Sequence, residues 1–290
     1  MEELAAIRKL RGQGDSEAAQ ARAVALGETL LEVADGAMST ELDDRRWEAQ
    51  GECYLLGLMQ PTERLRRLVV FHRERTLPDT HPRLLMAQSN LAVSLQQLGN
   101  PQQACRIFER VLAAARRTLT EDDRVLQGIL LNLGAARSDN GDAQGAREVN
   151  EELVAIRTRL LPPEDERVQI ARNALASTLN ELGDLEGARA MQEQALEVST
   201  RTLEPDNDTL LTAQANLANT LSQLGDLVRA RALKEHVLVV KSRLPRTTVL
   251  DLGLLKLNLA GTLSKLGDHT AARALLDGAL AALEDVVPAD

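Results

Sequence analysis

Asn90, Asn132, Asn216 and Asn258 stand 42, 84 and 42 residues apart. A carboxamide offers a donor and an acceptor together, which is what an extended backbone needs from a binding surface. A series of them at one phase is suited to holding a peptide. It is equally suited to tying a helix to a loop or helix within the same array, and the sequence leaves both readings open. Asn173 and Asn219 lie on nearby faces and would extend the series. Other reactive residue types do not assemble. There is no Walker loop, no Gly-x-Ser-x-Gly and no His-Glu-x-x-His. His72, His81, His236 and His269 fall at different phases, so no metal site is expected. Cys53 and Cys105 have neither a metal nor a redox spacing and read as small core hydrophobes. Gly12-Gln13-Gly14 precedes a helix but follows no strand, so no phosphate loop is expected there. The sequence therefore predicts no catalytic residues, no metal and no cofactor: a protein that is not an enzyme.

The elements that carry these residues are legible from composition. The chain has 290 residues, 27% of them charged, and a net charge of −9. Its four aromatic residues, Trp47, Tyr54, Phe71 and Phe108, all precede residue 110. The rest of the core must be built from Leu, Ala, Val, Ile and Met, which suits close-packed helices and not a sandwich or barrel. An acidic chain without a Lys/Arg block or stacking aromatics is not expected to bind nucleic acid. No apolar stretch is long enough to span a membrane. The first residues lack the apolar core of a secretory signal. A cytoplasmic protein is expected, and the sequon Asn207-Asp208-Thr209 reads as chance.

Periodicity determines the rest. Gly99, Gly141, Gly183, Gly225 and Gly267 are each 42 residues apart, each followed by Asn or Asp, and each followed five residues on by alanine (Ala104 to Ala272). Upstream, Leu91, Leu133, Leu175, Leu217 and Leu259 hold the same phase. Leu217, Leu221 and Leu224 form one helical stripe, Gly225 supplies a left-handed residue that ends the helix, and Asp226 caps the next. Ala230, Leu233, Val237 and Leu238 form the facing stripe. Such hairpins expose apolar surface on both sides until neighbours stack on them. An eroded earlier copy has Gly57 at the turn, Thr62 in place of the alanine and an unclear first helix around Trp47. The expected organisation is residues 1–40 as N-terminal capping helices and residues 41–290 as about six repeats, the first degenerate.

A leucine, a small residue, Gly-Asp and then alanine on helix–turn–helix units resembles the tetratricopeptide repeat. The 42-residue period, with Pro78-Asp79-Thr80-His81-Pro82 and the triplets Asn90-Leu91-Ala92, Asn216-Leu217-Ala218 and Asn258-Leu259-Ala260, is similar to the kinesin-light-chain-like subgroup. Arg137, where a core leucine is expected, and Ala174, in place of asparagine, depart from that pattern. The second-helix aromatic survives only as Phe108, with Asn150, Gln192 and Lys234 in its place. The resemblance implies an all-α, right-handed solenoid of about twelve to fourteen helices. It further implies a groove lined by first helices, with Asn90, Asn132, Asn173, Asn216, Asn219 and Asn258 as partner-binding residues.

The function so implied is a non-enzymatic interaction scaffold. Similarity to the small bacterial kinesin light chains implies association with bacterial tubulin filaments. The alternative is the sensor or adaptor arm of a larger effector, such as a caspase-like peptidase. Acidic linkers (Glu121-Asp122-Asp123, Glu164-Asp165-Glu166, and Glu204 with Asp206 and Asp208) serve mainly as helix caps; they also offer a second, acidic edge to a partner. The last helix carries Ala271, Ala274, Leu275, Ala279, Leu280 and Leu283 with nothing after it to cover them, which points to self-association through the C-terminal helix, a partner or further sequence.

Overall fold

The structure is a computed structural model that describes residues 2–32, 40–245 and 247–284, with side chains to residue 282. Every regular element among the described residues is an α-helix. The first helices of successive hairpins are α1 (Glu2–Gly12), α3 (Thr40–Leu55), α5 (Pro82–Gln97), α7 (Arg124–Asp139), α9 (Glu166–Glu181), α11 (Asp208–Leu224) and α13 (Val249–Lys265). The second helices are α2 (Ser16–Glu32), α4 (Met59–Thr76), α6 (Pro101–Ala115), α8 (Ala143–Leu160), α10 (Leu185–Thr202), α12 (Leu227–Lys241) and α14 (His269–Glu284). No described helix is long and apolar enough to cross a membrane.

The chain forms two compact units, residues 1–149 and 150–290, which divide within α8. In the first, α5 packs on α4, α6 and α7; in the second, α11 packs on α9, α10 and α12. Each unit is thus a stack of antiparallel hairpins. The core follows the sequence stripes: Leu91 and Leu133 in one unit, Leu217 and Leu221 in the other, are at most 6% exposed. Each such leucine, fully buried, contributes roughly 1.5–3 kcal/mol. The alanine five residues after the turn glycine is at most 6% exposed in all five repeats. A larger side chain there would push the two helices apart.

The turns form as read. Gly225 has φ +88°, and the Asp226 carboxylate accepts the Arg229 amide at 3.3 Å. Asp142 and Asp184 do the same for Gly145 and Gly187, both at 2.9 Å. First helices are capped at His81, Asp123, Asp165 and Asn207. Asn207, the sequon residue, accepts from the Thr209 amide at 2.7 Å.

Three places add to the sequence reading. The α1–α2 hairpin turns at Gly14 with φ +81°, Asp15 caps α2 by accepting from Ala18, and Ala19 is fully buried. This is the signature of the later hairpins, so we propose that α1 and α2, within the stretch expected to be capping helices, form a further repeat. The eroded copy has a complete first helix, α3. Thr62 takes the alanine's buried position and donates its hydroxyl to the Leu58 carbonyl at 2.7 Å. Arg137 is no core residue. It bonds the Gly145 carbonyl at 3.0 Å and Glu109 at 2.9 Å, strapping α7 to the first turn of α8 and to α6.

Both cysteines are buried, and burial pushes the Cys53 thiol up to about 11. In the final helix, Ala279 is buried and Leu275 packs on the Leu259 cluster, whereas Leu280 is 59% exposed. Leu283 lies outside the described side chains.

Candidate partner-binding surface

At Asn216 the asparagine phase falls on the side that adjacent first helices share. α5 touches α7 in the first unit and α9 touches α11 in the second. Within the second unit, polar side chains bridge these neighbours. Asn216 donates to Ser177 at 3.4 Å, Gln223 to Asn180 at 2.7 Å, and Asn180 to Thr220 at 2.8 Å. In the first unit, Gln96 donates to Asp139 at 2.5 Å. A polar lattice therefore runs across the first helices in each unit.

On it, Asn90, Asn132 and Asn216 are half-buried, and Asn219 and Asn258 are exposed. Asn173 differs. It is 6% exposed, and its Oδ1 is buried without a hydrogen-bond partner. It sits one residue before the phase position, Ala174, and one residue rotates a side chain by about 100° around a helix. That rotation turns Asn173 inward, so it does not belong to the accessible series. The late first-helix residues Gln97, Asp139, Glu181, Gln223 and Lys265 are all exposed and carry mixed charge.

The linker acids are largely engaged within the chain. Asp123 and Asp165 cap helices, Glu166 accepts the Thr209 hydroxyl at 2.6 Å, and Asp208 pairs with Lys241 at 2.5 Å. The Arg167 guanidinium, hydrogen-bonded to Asp165, holds that carboxyl below its ordinary value. An edge so occupied has less to offer a basic partner than the lattice of amides.

Sequence reasoning missed a second series. Arg66, Phe108, Asn150, Gln192 and Lys234 are one column at period 42, and each is at most 9% exposed. Three of its polar members reach from a second helix into the next first helix, whereas the fourth, Gln192, has its Oε1 buried without a hydrogen-bond partner. Arg66 donates to the Asn90 carbonyl and to Ser94, both at 2.7 Å. Asn150 donates to Thr178 at 2.9 Å. Lys234 donates to Thr262 at 2.9 Å and to the Asn258 carbonyl at 3.2 Å. For these three the acceptors lie 24 and 28 residues downstream. Where the column is apolar, at Phe108, the residue 28 further on is Ala136, and both are fully buried. The signal was present as matched chemistry between two columns: Arg with Ser, Phe with Ala, Asn and Lys with Thr. Burial lowers the Arg66 guanidinium to about 10, and burial, with Lys265 nearby, lowers Lys234. These bonds use the backbone carbonyls of Asn90 and Asn258 and not their carboxamides.

No cluster of three His, Cys, Asp or Glu side chains able to hold a metal occurs among the described residues. What the surface can do chemically is form hydrogen bonds.

A tetratricopeptide repeat family model matches residues 83–159 and 166–240, and a second tetratricopeptide repeat model matches residues 255–290. Among solved structures, the chain is similar to nearly identical tetratricopeptide-like repeats of a putative kinesin light chain from Podosopora anserina. Identity is 26%, covering 70% of this chain and 95% of that one, with a TM-score of 0.58. BtubC (BKLC) from P. vanneervenii shares 22% identity over 81% of this chain and 92% of its own, with a TM-score of 0.60. A Rap protein complexed with competence and sporulation factor shares 13% identity over 97% of this chain and 75% of its own, at 0.67. The last two establish likeness of fold. No curated protein matches the sequence.

Proposed function

The chain belongs to the tetratricopeptide repeat family, and from that premise we propose that it is a scaffold holding an extended segment of a partner protein against its first helices. One observation carries this reading: amides at a single repeat phase, Asn90 and Asn132 in one unit and Asn216 and Asn258 in the other, are half-buried or exposed beside a hydrogen-bonded lattice that Asn216 itself joins through Ser177. An accessible carboxamide pairs with a peptide group through donor and acceptor at once, and repetition at fixed spacing gives affinity without demanding particular side chains. Exposed neighbours such as Met86, at 41%, would contribute apolar contact.

The likeness of the repeats to kinesin light chains makes a filament of bacterial tubulin the partner to test first. Co-sedimentation of the chain with such filaments, polymerised from purified subunits, measures this directly. Saturable pelleting supports that partner; its absence at high filament concentration removes it and leaves the peptide-binding surface to be tested separately.

A further inference from the structure

Each member of the buried second-helix column has a counterpart 31 residues on, late in the next first helix: Arg66 with Gln97, Phe108 with Asp139, Asn150 with Glu181, Gln192 with Gln223, and Lys234 with Lys265. Only the last of these five pairs joins two cations. Both converge on one residue. Lys234 Nζ donates to the Ser222 hydroxyl at 3.3 Å, and Lys265 Nζ to the Ser222 carbonyl at 3.5 Å. The other partners of Lys234, Thr262 and the Asn258 carbonyl, are neutral. Among the described residues neither ammonium forms an ion pair, in a chain where acids outnumber bases 43 to 34. Lys241 and Arg229, on the same helix as Lys234, do pair, with Asp208 at 2.5 Å and Glu193 at 2.8 Å. A buried cation without a counter-charge, beside a second cation, carries a cost that an anion placed against them offsets.

We infer that Lys265, the amides of Asn219 and Asn258, and the underlying Lys234 form a subsite for a carboxylate of the bound segment, either an acidic side chain or the segment's own C-terminus. The inference rests on the peptide-holding reading above. The first helices bring these groups to one surface: Asn258 and Lys265 stand about two turns apart on α13, and Asn219 lies about one turn from Ser222 on α11. Asn219, Asn258 and Lys265 are exposed. The exposure of Lys265 belongs to its column, because Gln97, Asp139, Glu181 and Gln223, each followed by another hairpin, are exposed as well. The two lysines have different parts. The three hydrogens of Lys234 go to Ser222, Thr262 and the Asn258 carbonyl, so this ammonium supplies charge from beneath the surface. Lys265 uses one hydrogen on its long Ser222 contact and has two with which to touch a carboxylate. The other unit has no such pair: the Arg66 guanidinium lies 4.8 Å from the Tyr54 ring centre, and its counterpart, the neutral Gln97, donates to Tyr54 at 3.2 Å.

Two random peptide libraries, one with free and one with amidated C-termini, test the subsite on the full chain. Enrichment of Asp or Glu at one position identifies a side-chain carboxylate, and selection from the free-ended library alone identifies the terminal one. For a selected peptide, replacing that carboxylate by the corresponding carboxamide should weaken binding about tenfold. Lys265→Gln should abolish this discrimination, and Lys265→Glu should reverse it in favour of a cationic residue. Lys234→Met, which leaves every surface contact in place, should reduce it roughly threefold. Circular dichroism and melting on the same samples report whether the variants are folded. Binders without a carboxylate preference, or a preference undiminished in either lysine variant, overturn the subsite and leave the peptide-holding reading standing. Libraries that yield no binder remove that reading, and the subsite falls with it.

Discussion

Lys234 is a buried cation, 9% exposed, that donates to two hydroxyls, of Ser222 and Thr262, and to the Asn258 carbonyl, all neutral. Replacing it with methionine removes the ammonium but keeps most of the stem's volume. The groups left behind remain satisfied: Ser222 and Thr262 hydroxyls lie 3.1 Å apart, and the Thr262 hydroxyl also reaches the Asn258 carbonyl at 3.3 Å. Lys234→Met should therefore be neutral or stabilising, by about 0–2 kcal/mol, because desolvation of the charge no longer opposes folding. Thr262→Val in the wild-type chain strips the ammonium of its shortest bond and should cost about 1.5–3 kcal/mol. In the methionine background the same change should cost about 1 kcal/mol less, a coupling readable by a double-mutant cycle. Urea unfolding followed by circular dichroism supplies the four stabilities. Protonation gives a second readout. Burial lowers the folded-state pKa of Lys234, so between that value and the ordinary lysine value of about 10.4 the unfolded chain binds more of this proton. Stability contributed by this group is lowest below the folded pKa and rises as pH climbs through that window. The wild type should gain on Lys234→Met as pH rises towards 10. Equal cost of Thr262→Val in both backgrounds, with parallel pH profiles, would refute the reading of this column as a chemical link between repeats.

The core register makes further predictions. Leu217→Ala should cost roughly 2–5 kcal/mol in thermal or urea unfolding, and Ala188→Arg should cost more by forcing a charge into a fully buried contact; wild-type stability in both would mean that the helix faces are misassigned. In the first unit, Asp43→Ala strands the Arg73 guanidinium, now paired at 2.9 Å with both residues at most 4% exposed, and should cost about 3–5 kcal/mol. That loss can be followed through the single tryptophan, because Arg73 lies 4.6 Å from the Trp47 ring centre.

Much of this was legible in the sequence because a repeat states each local rule several times. One Gly-Asp pair is weak; four, with Gly99-Asn100, at constant spacing define turn, cap and stripe together. On the proposal that α1–α2 is a repeat, its phase is hidden because Gly14 precedes Gly57 by 43 residues, one more than the period, and because Thr62 replaces the alanine of the next copy. The buried column escaped for another reason. Asn150, Gln192 and Lys234 looked like erosion of an aromatic position, and for Asn150 and Lys234 the meaning lies in hydroxyls 28 residues away in the next hairpin. Asn173 was placed on the binding face by proximity along the chain, but a helix assigns faces by angle, and a single residue was enough to turn it inward.

Peptide binding by the first-helix amides is the central claim, and a random peptide library tests it without prior choice of partner. Peptides selected on the wild-type chain should be remeasured on Asn90→Ala/Asn132→Ala and on Asn216→Ala/Asn258→Ala, with melting temperature taken on the same samples. Alanine is the better helix former, so stability should hold or rise slightly. Loss of two backbone hydrogen bonds, at about 0.5–1.5 kcal/mol each, should weaken affinity roughly five- to hundredfold in the unit that binds. Early melting with affinity falling only in step with the folded fraction would show that the asparagines hold the array together, and unchanged affinity with unchanged stability would place the partner elsewhere.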